Sequence, residues 1–208
     1  MPLLLIGGHT RNIGKTALVV DLLRAFPGTS WTAVKITQYG HSICSLHGEP
    51  CACAPHEHPF SLTEEHDRSN HTDTSRFLVA GAARALWLRA RQGQLAEALP
   101  LLRDALSPAS QVIIESNSLL SFVHPALYLV VLDPTASDFK DSARLHLDRA
   151  DAFVLRSLLS DQAPAWPSVP SRLIQGKPQF CQPLGSPLPS ELADFVRLRF
   201  FGVRGVSP

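Results

Sequence analysis

The chain has 208 residues, of which 45% are apolar and 18% are charged, and its formal net charge is +1. This composition is typical of a globular protein with a core of its own and excludes a disordered chain. A nearly neutral chain gives no electrostatic basis for a nucleic-acid partner, and no apolar run approaches the roughly 20 residues of a membrane helix. The apolar start lacks a basic segment and a cleavage site, so we expect a cytoplasmic protein.

The first part of the chain is predicted to alternate between strands and helices. Residues 3–6 predict a buried strand, 15–26 a helix and 32–36 a second strand. Residues 37–70 are polar and show no period, so we expect one long loop there. The elements predicted next are a helix at 74–83, a strand at 85–88 and an amphipathic helix at 95–106.

The second part continues this alternation, and its end is rich in proline. Eight of the 17 prolines lie between Pro164 and Pro208, which predicts an irregular segment over about 160–208. The elements predicted in this part are strands at 112–115, 127–132 and 152–155 and helices at 142–149 and 189–201.

Strands that alternate with helices are typical of an α/β fold. We expect one domain over 1–208, with a mostly parallel β-sheet and helices on both of its faces. The polar residues at about 40–70 are then a Cys/His-rich insertion in that domain.

The strongest motif lies between the first predicted strand and the first predicted helix. Its glycines allow successive N–H groups to curl around phosphate oxygens, and the helix start adds its positive dipole end. This pattern is typical of a P-loop, in which Lys15 binds the β- and γ-phosphates and Thr16 binds Mg²⁺. The residues predicted to contact the nucleotide are Gly8, His9, Thr10, Arg11, Asn12, Ile13, Gly14, Lys15, Thr16 and Ala17.

The loop is longer than the common P-loop. Five residues separate Gly8 from Gly14 instead of four, and His9 stands where the first glycine is expected. Dethiobiotin synthetase has a similarly long loop, so this variant is compatible with phosphate binding.

Glu115 ends the apolar run at 112–115. A carboxylate at the C-terminal end of a parallel strand lies where α/β folds bind ligands, and there it can organise magnesium or water. The alternative is a solvated glutamate at the end of a strand.

The order of four segments resembles a known family. The P-loop, the strand containing Lys35, the segment Asp73-Thr74-Ser75-Arg76-Phe77-Leu78-Val79-Ala80-Gly81-Ala82 and the strand ending in Glu115 resemble molybdopterin-guanine dinucleotide biosynthesis protein B (MobB). The resemblance covers roughly residues 3–117. It implies a P-loop NTPase of the SIMIBI class that forms a homodimer and works beside a molybdenum-cofactor enzyme.

The resemblance also implies roles for individual residues. Lys35 and Arg76 would lie near the bound nucleotide, and Asp73 and Glu115 near the metal ion or the attacking water. From the residues alone, Asp73 is equally suited to capping the helix that starts at Thr74, and Arg76 to a surface ion pair.

The chain departs from the related pattern in two places. MobB has Glu-Gly where this chain has Glu115-Ser116. GTPases of the class often carry Asn-Lys-x-Asp, whose aspartate binds guanine, where this chain has Arg156-Ser157-Leu158-Leu159. Guanine specificity is therefore not supported, and the expected ligand is GTP or ATP with Mg²⁺.

The predicted insertion concentrates cysteine and histidine. Six of the nine histidines lie between His41 and His71. Cysteine and histidine at short spacing are ligands that Zn²⁺ prefers, and a bound metal orders a segment that lacks a core. The alternative is a polar loop with reduced thiols, and we expect Cys181 to be a small buried residue. The candidate ligands for zinc or another metal are Cys44, His47, Cys51 and Cys53.

Three functions remain open from the sequence. The first is a slow NTPase that assists maturation of the molybdenum cofactor or of a metalloenzyme. The second is a metallochaperone whose Cys/His loop carries Zn or Ni. The third is an ATP-dependent ligase or kinase that resembles dethiobiotin synthetase.

Overall fold

The computed structural model describes residues 2–40, 59–157 and 166–202. The strands are β1 Leu3–Gly8, β2 Trp31–Tyr39, β3 Phe60–Glu64, β4 Arg84–Arg91, β5 Gln111–Glu115, β6 Leu127–Leu132, β7 Ala152–Leu155 and β8 Gln179–Cys181. They form an eight-stranded sheet in the order β3-β4-β2-β5-β1-β6-β7-β8. The pairs β1–β6, β2–β4, β6–β7 and β7–β8 are parallel, and β3–β4 is antiparallel. The predicted α/β fold with a mostly parallel sheet is therefore confirmed.

Six α-helices lie in the described ranges, and none of them is long and apolar enough to cross a membrane. Two short 3₁₀ turns follow β5 and precede β7, at Ser118–Ser121 and Leu147–Arg149. The helices are α1 Lys15–Ala25, α2 Asp73–Val79, α3 Leu95–Leu106, α4 Asp141–Arg144, α5 Arg172–Gln175 and α6 Ser190–Phe201.

The prediction of one long loop over 37–70 is wrong at both of its described ends. β2 runs on to Tyr39, and β3 forms at Phe60–Glu64. β3 carries only two apolar side chains, Phe60 and Leu62, which is too few for a pattern to be visible in the sequence. The strand is stabilised by pairing with β4, where Leu62 lies opposite Leu88.

Other boundaries differ where a turn interrupts a helical pattern. The helix predicted over 142–149 is instead the four-residue α4 followed by the 3₁₀ turn at Leu147–Arg149. The helix predicted over 74–83 ends at Val79, because Gly81 adopts a φ of 107° that a helix does not allow. The segment predicted as irregular contributes α5 and the edge strand β8.

The described residues fall into two compact units. Residues 28–114 form the first, with a core that includes Trp31, Phe77 and Leu86. Residues 2–27 and 115–202 form the second, with β1 and β6 fully buried except at Leu3. Glu115, the last residue of β5, therefore belongs to the same unit as the predicted P-loop.

Candidate nucleotide-binding site

The loop between β1 and α1 curls back over its own start. Asn12 and Gly14 adopt left-handed backbone conformations, with φ of 57° and 87°. A Cβ added to Gly8 would lie 2.7 Å from Ile13 Cδ1, so the loop packs directly on that glycine. Gly14 precedes the first residue of α1, where the orphan N–H groups of a helix start are directed at a ligand.

Lys15 and Thr16 open α1 at the end of this loop. Lys15 Nζ donates to the Thr10 carbonyl at 2.8 Å, and Thr16 Oγ1 donates to Glu115 Oε2 at 2.8 Å. Glu115 is only 3% exposed, so the alternative of a solvated glutamate is wrong. A hydroxyl and a carboxylate in contact are the hard oxygen donors that Mg²⁺ prefers, and these residues fit such an ion.

Asn117 supports the loop from the strand that carries Glu115, and the sequence analysis missed it. Its Oδ1 accepts from the Gly8 N–H at 2.8 Å, and its Nδ2 donates to the Gly8 carbonyl at 2.7 Å. A Cβ on Gly7 would lie 2.6 Å from the same Oδ1. Gly7 is therefore required, because any side chain there would prevent the close approach of Asn117. The available signal in the sequence was a side-chain amide two residues after Glu115.

Arg156 supports the other end of the loop and was also missed as a site residue. It follows β7, and its guanidinium donates to the carbonyls of Ile13 at 3.2 Å and Gly14 at 2.5 Å. It also donates to the carbonyl and to Oε1 of Gln182, each at 3.0 Å. Burial lowers the pKa of Arg156, and the charge of Asp21 opposes that shift.

His9 is fully buried beneath the loop. Its ring centroid lies 4.8 Å from that of Trp166 and 5.2 Å from that of Phe139, and Nδ1 accepts from the Asp133 N–H at 3.4 Å. Burial lowers the pKa of His9 from its usual 6.5, so the ring is a neutral packing group at pH 7. Next to it, Thr10 Oγ1 donates to an Asp138 carboxylate oxygen.

Lys35, Asp73 and Arg76 lie together in the first unit. Lys35 Nζ is 2.8 Å from Asp73 Oδ2, and Arg76 Nη1 is 3.6 Å from Asp73 Oδ1. Asp73 is the first residue of α2 rather than its cap, because Thr72 caps the helix in a reciprocal pair with Ser75. Their predicted roles at the nucleotide stay predictions.

The candidate metal ligands Cys44, His47, Cys51 and Cys53 lie outside the described residues, so the predicted metal site stays a prediction. Within residues 2–40, 59–157 and 166–202, no group of three or more His, Cys, Asp or Glu side chains is arranged to hold a metal ion. Cys181 lies on β8 with intermediate exposure and is not the buried residue that we expected.

The mostly parallel sheet, the curled loop and the Gly14-Lys15-Thr16 helix start give an α/β fold with a P-loop-like turn between its first strand and its first helix. No family model matches the chain, and neither does any curated protein.

Two solved structures are similar in fold. HypB from Helicobacter pylori, in complex with nickel, is 15% identical over 100% of this chain and 91% of that chain, with a TM-score of 0.49. The "apo" form of LpxK from Aquifex aeolicus, in complex with ATP, is 18% identical over 87% of this chain and 53% of that chain, with a TM-score of 0.44.

Proposed function

We propose that the chain binds a nucleoside triphosphate with Mg²⁺ at residues 8–17 and hydrolyses it slowly. The observation that carries this proposal is the 2.8 Å hydrogen bond between Thr16 and Glu115. It puts a hydroxyl and a buried carboxylate together at the N-terminus of α1, beside the loop amides. Loop amides bind phosphate oxygens, and hydroxyl and carboxylate oxygens bind Mg²⁺, so a site for a magnesium nucleotide needs both side by side.

The residues of the site divide the work between them. The amides from Thr10 to Thr16 and the ammonium of Lys15 bind phosphate oxygens and stabilise charge that develops during transfer. Thr16 and Glu115 would hold the magnesium ion, which supplies further positive charge to the phosphates when it is bound. In this proposal Glu115 also orients the attacking water.

A wider role follows from the resemblance to MobB rather than from the geometry. The segment from Asp73 to Ala82, with Lys35 on the preceding strand, supports an accessory NTPase in maturation of the molybdenum cofactor or of a metalloenzyme. Such a protein is expected to act as a cytoplasmic homodimer.

Isothermal titration with Mg·ATP and Mg·GTP tests the binding proposal. Lys15→Ala is expected to weaken binding at least roughly tenfold, because a charge-assisted hydrogen bond contributes about 1.5–3 kcal/mol. Lys177→Ala is the matched control, since Lys177 also donates to backbone carbonyls, those of Asp148 and Ala150. Equal affinities in the wild type and the Lys15 variant, or no binding by the wild type, would refute the proposal.

A further inference from the structure

We propose that Arg156 is a positioning residue for phosphate binding, which holds the peptide groups whose N–H bonds face the phosphates. The inference rests on the proposed nucleotide binding and assigns a role to a residue 142 positions away from Gly14. Arg156 does not belong to the loop, and its effect on a ligand would be exerted through the backbone that it holds.

The first support is the pair of carbonyls that Arg156 contacts. Nε donates to Ile13 O at 3.2 Å and Nη2 donates to Gly14 O at 2.5 Å. A guanidinium is planar and rigid, so two such bonds fix the orientation of both peptide groups at once. No other residue type presents N–H donors in this rigid, forked arrangement.

The second support follows from the geometry of a trans peptide. The C=O and the N–H of one peptide unit point in opposite directions. A bond to Ile13 O therefore fixes the direction of the Gly14 N–H, and a bond to Gly14 O fixes that of the Lys15 N–H. Both N–H groups belong to the start of α1, where an anion binds. A cation on the carbonyls also polarises the two amides and strengthens their pull on a phosphate.

The third support is the way in which Arg156 is held. It is 6% exposed, and Gln182 beside it is 1% exposed. Gln182 accepts twice from Arg156 Nη1 and donates through Nε2 to Asp21 Oδ2 on α1 at 2.8 Å. A buried cation is costly unless its donors are bonded, and Arg156 makes four hydrogen bonds with its five N–H donors. The guanidinium is thus locked in the orientation that the loop requires.

The test compares three variants with three ligands. The variants are Arg156→Ala, Arg156→Lys and the matched control Arg149→Ala. Arg149 lies in the same unit and also donates to two backbone carbonyls, those of Leu120 and Val123, which do not belong to the loop. The ligands are Mg·ATP, Mg·GTP and inorganic tripolyphosphate, which has no base or sugar.

We expect Arg156→Ala to weaken the binding of all three ligands by a similar factor, about 10- to 100-fold, because the loop amides are less well aligned once the bonds to Ile13 O and Gly14 O are lost. Arg156→Lys should fall between this variant and the wild type, and Arg149→Ala should bind as the wild type does. Millimolar guanidinium, but not equimolar ammonium, should restore part of the affinity of Arg156→Ala. A role limited to stability would show neither the shared factor nor this rescue.

Three results would overturn the inference. The first is wild-type affinity for tripolyphosphate in a folded Arg156 variant. The second is a loss confined to ATP and GTP, which would mean that Arg156 acts on the base or the sugar rather than on the phosphates. The third is an equal loss in Arg149→Ala. If Arg156→Ala does not fold, the test rests on the affinity of Arg156→Lys for tripolyphosphate, and wild-type affinity in that variant overturns the inference. If Lys15→Ala abolishes binding but the Arg156 variants still bind, only this inference is refuted. If the wild type does not bind, the proposed function is refuted.

Discussion

Removal of the Asn117 side chain is expected to destabilise the unit that carries the phosphate loop. Asn117 is bonded to both the N–H and the carbonyl of Gly8, at 2.8 and 2.7 Å. In Asn117→Ala the donor and the acceptor of Gly8 both lose their partner, at the point where β1 enters the loop.

The magnitude follows from these two bonds. A neutral hydrogen bond contributes about 0.5–1.5 kcal/mol net, so the loss is about 1–3 kcal/mol. For a chain of this length, each kcal/mol shifts the melting temperature by about 2–4 °C, so we expect Tm to fall by about 2–12 °C. Affinity for a triphosphate should fall as well, since Gly8 is the first residue of the loop.

The measurements are thermal and urea unfolding followed by circular dichroism, with Asn117→Asp as the directional control. A carboxylate keeps the acceptor for the Gly8 N–H but places a second oxygen against the Gly8 carbonyl. It should therefore destabilise at least as much as alanine. A Tm shift in Asn117→Ala within experimental error, or an aspartate variant as stable as the wild type, would refute the reasoning.

Three further predictions concern the loop glycine, His9 and the cap of α2. Gly14→Ala should destabilise more than Gly28→Ala by about 1–3 kcal/mol. Both glycines have positive φ, 87° and 82°, but only at Gly14 would an added Cβ meet a fixed, buried side chain, Arg156 Nε at 3.0 Å. Because burial lowers the pKa of His9 below 6.5, its contribution to stability is full above pH 6.5 and is lost as pH falls towards the lowered value. Between these two pH values, the free energy of unfolding of the wild type should drop by up to about 1.4 kcal/mol per pH unit relative to that of His9→Gln. Thr72→Ala should cost about 1 kcal/mol through loss of the cap.

Each of these predictions has a contrary result. Equal losses in the two glycine variants would mean that backbone conformation alone matters at Gly14. Parallel pH profiles for the wild type and His9→Gln would mean that folding leaves the pKa of His9 unchanged, so that its burial does not lower it. No measurable loss for Thr72→Ala would mean that the Thr72 side chain does not stabilise the start of α2.

The parts of the site that could be predicted are those encoded within a short stretch of chain. The sequence from Leu3 to Ala25 contains an apolar run, a glycine-rich turn and a helical pattern. These three signals follow one another directly, and together they predict a strand, a loop and a helix. Glu115 was found in the same way, because an apolar run ends at it. The helix over 95–106 and the strands over 127–132 and 152–155 agree with α3, β6 and β7 for the same reason.

The parts that could not be predicted depend on partners far away in sequence. Asn117 bonds to a residue 109 positions away, and Gln182 to one 161 positions away. A single asparagine, arginine or glutamine after a strand has no periodicity, and its role exists only once the strands are side by side. β3 could not be predicted for the same reason. It is a strand because it pairs with β4, and not because of its own composition.

The long reach of these bonds has a consequence for biosynthesis. The loop at residues 8–16 is synthesised before its supports, since Asn117 follows Gly8 by 109 positions and Arg156 follows Gly14 by 142 positions. At about 5–20 residues per second, this delay is roughly 5–30 s, during which the nascent loop lacks the contacts that shape it. The proposed nucleotide binding should therefore be a late event in synthesis, completed only when the strand before Gln182 has emerged.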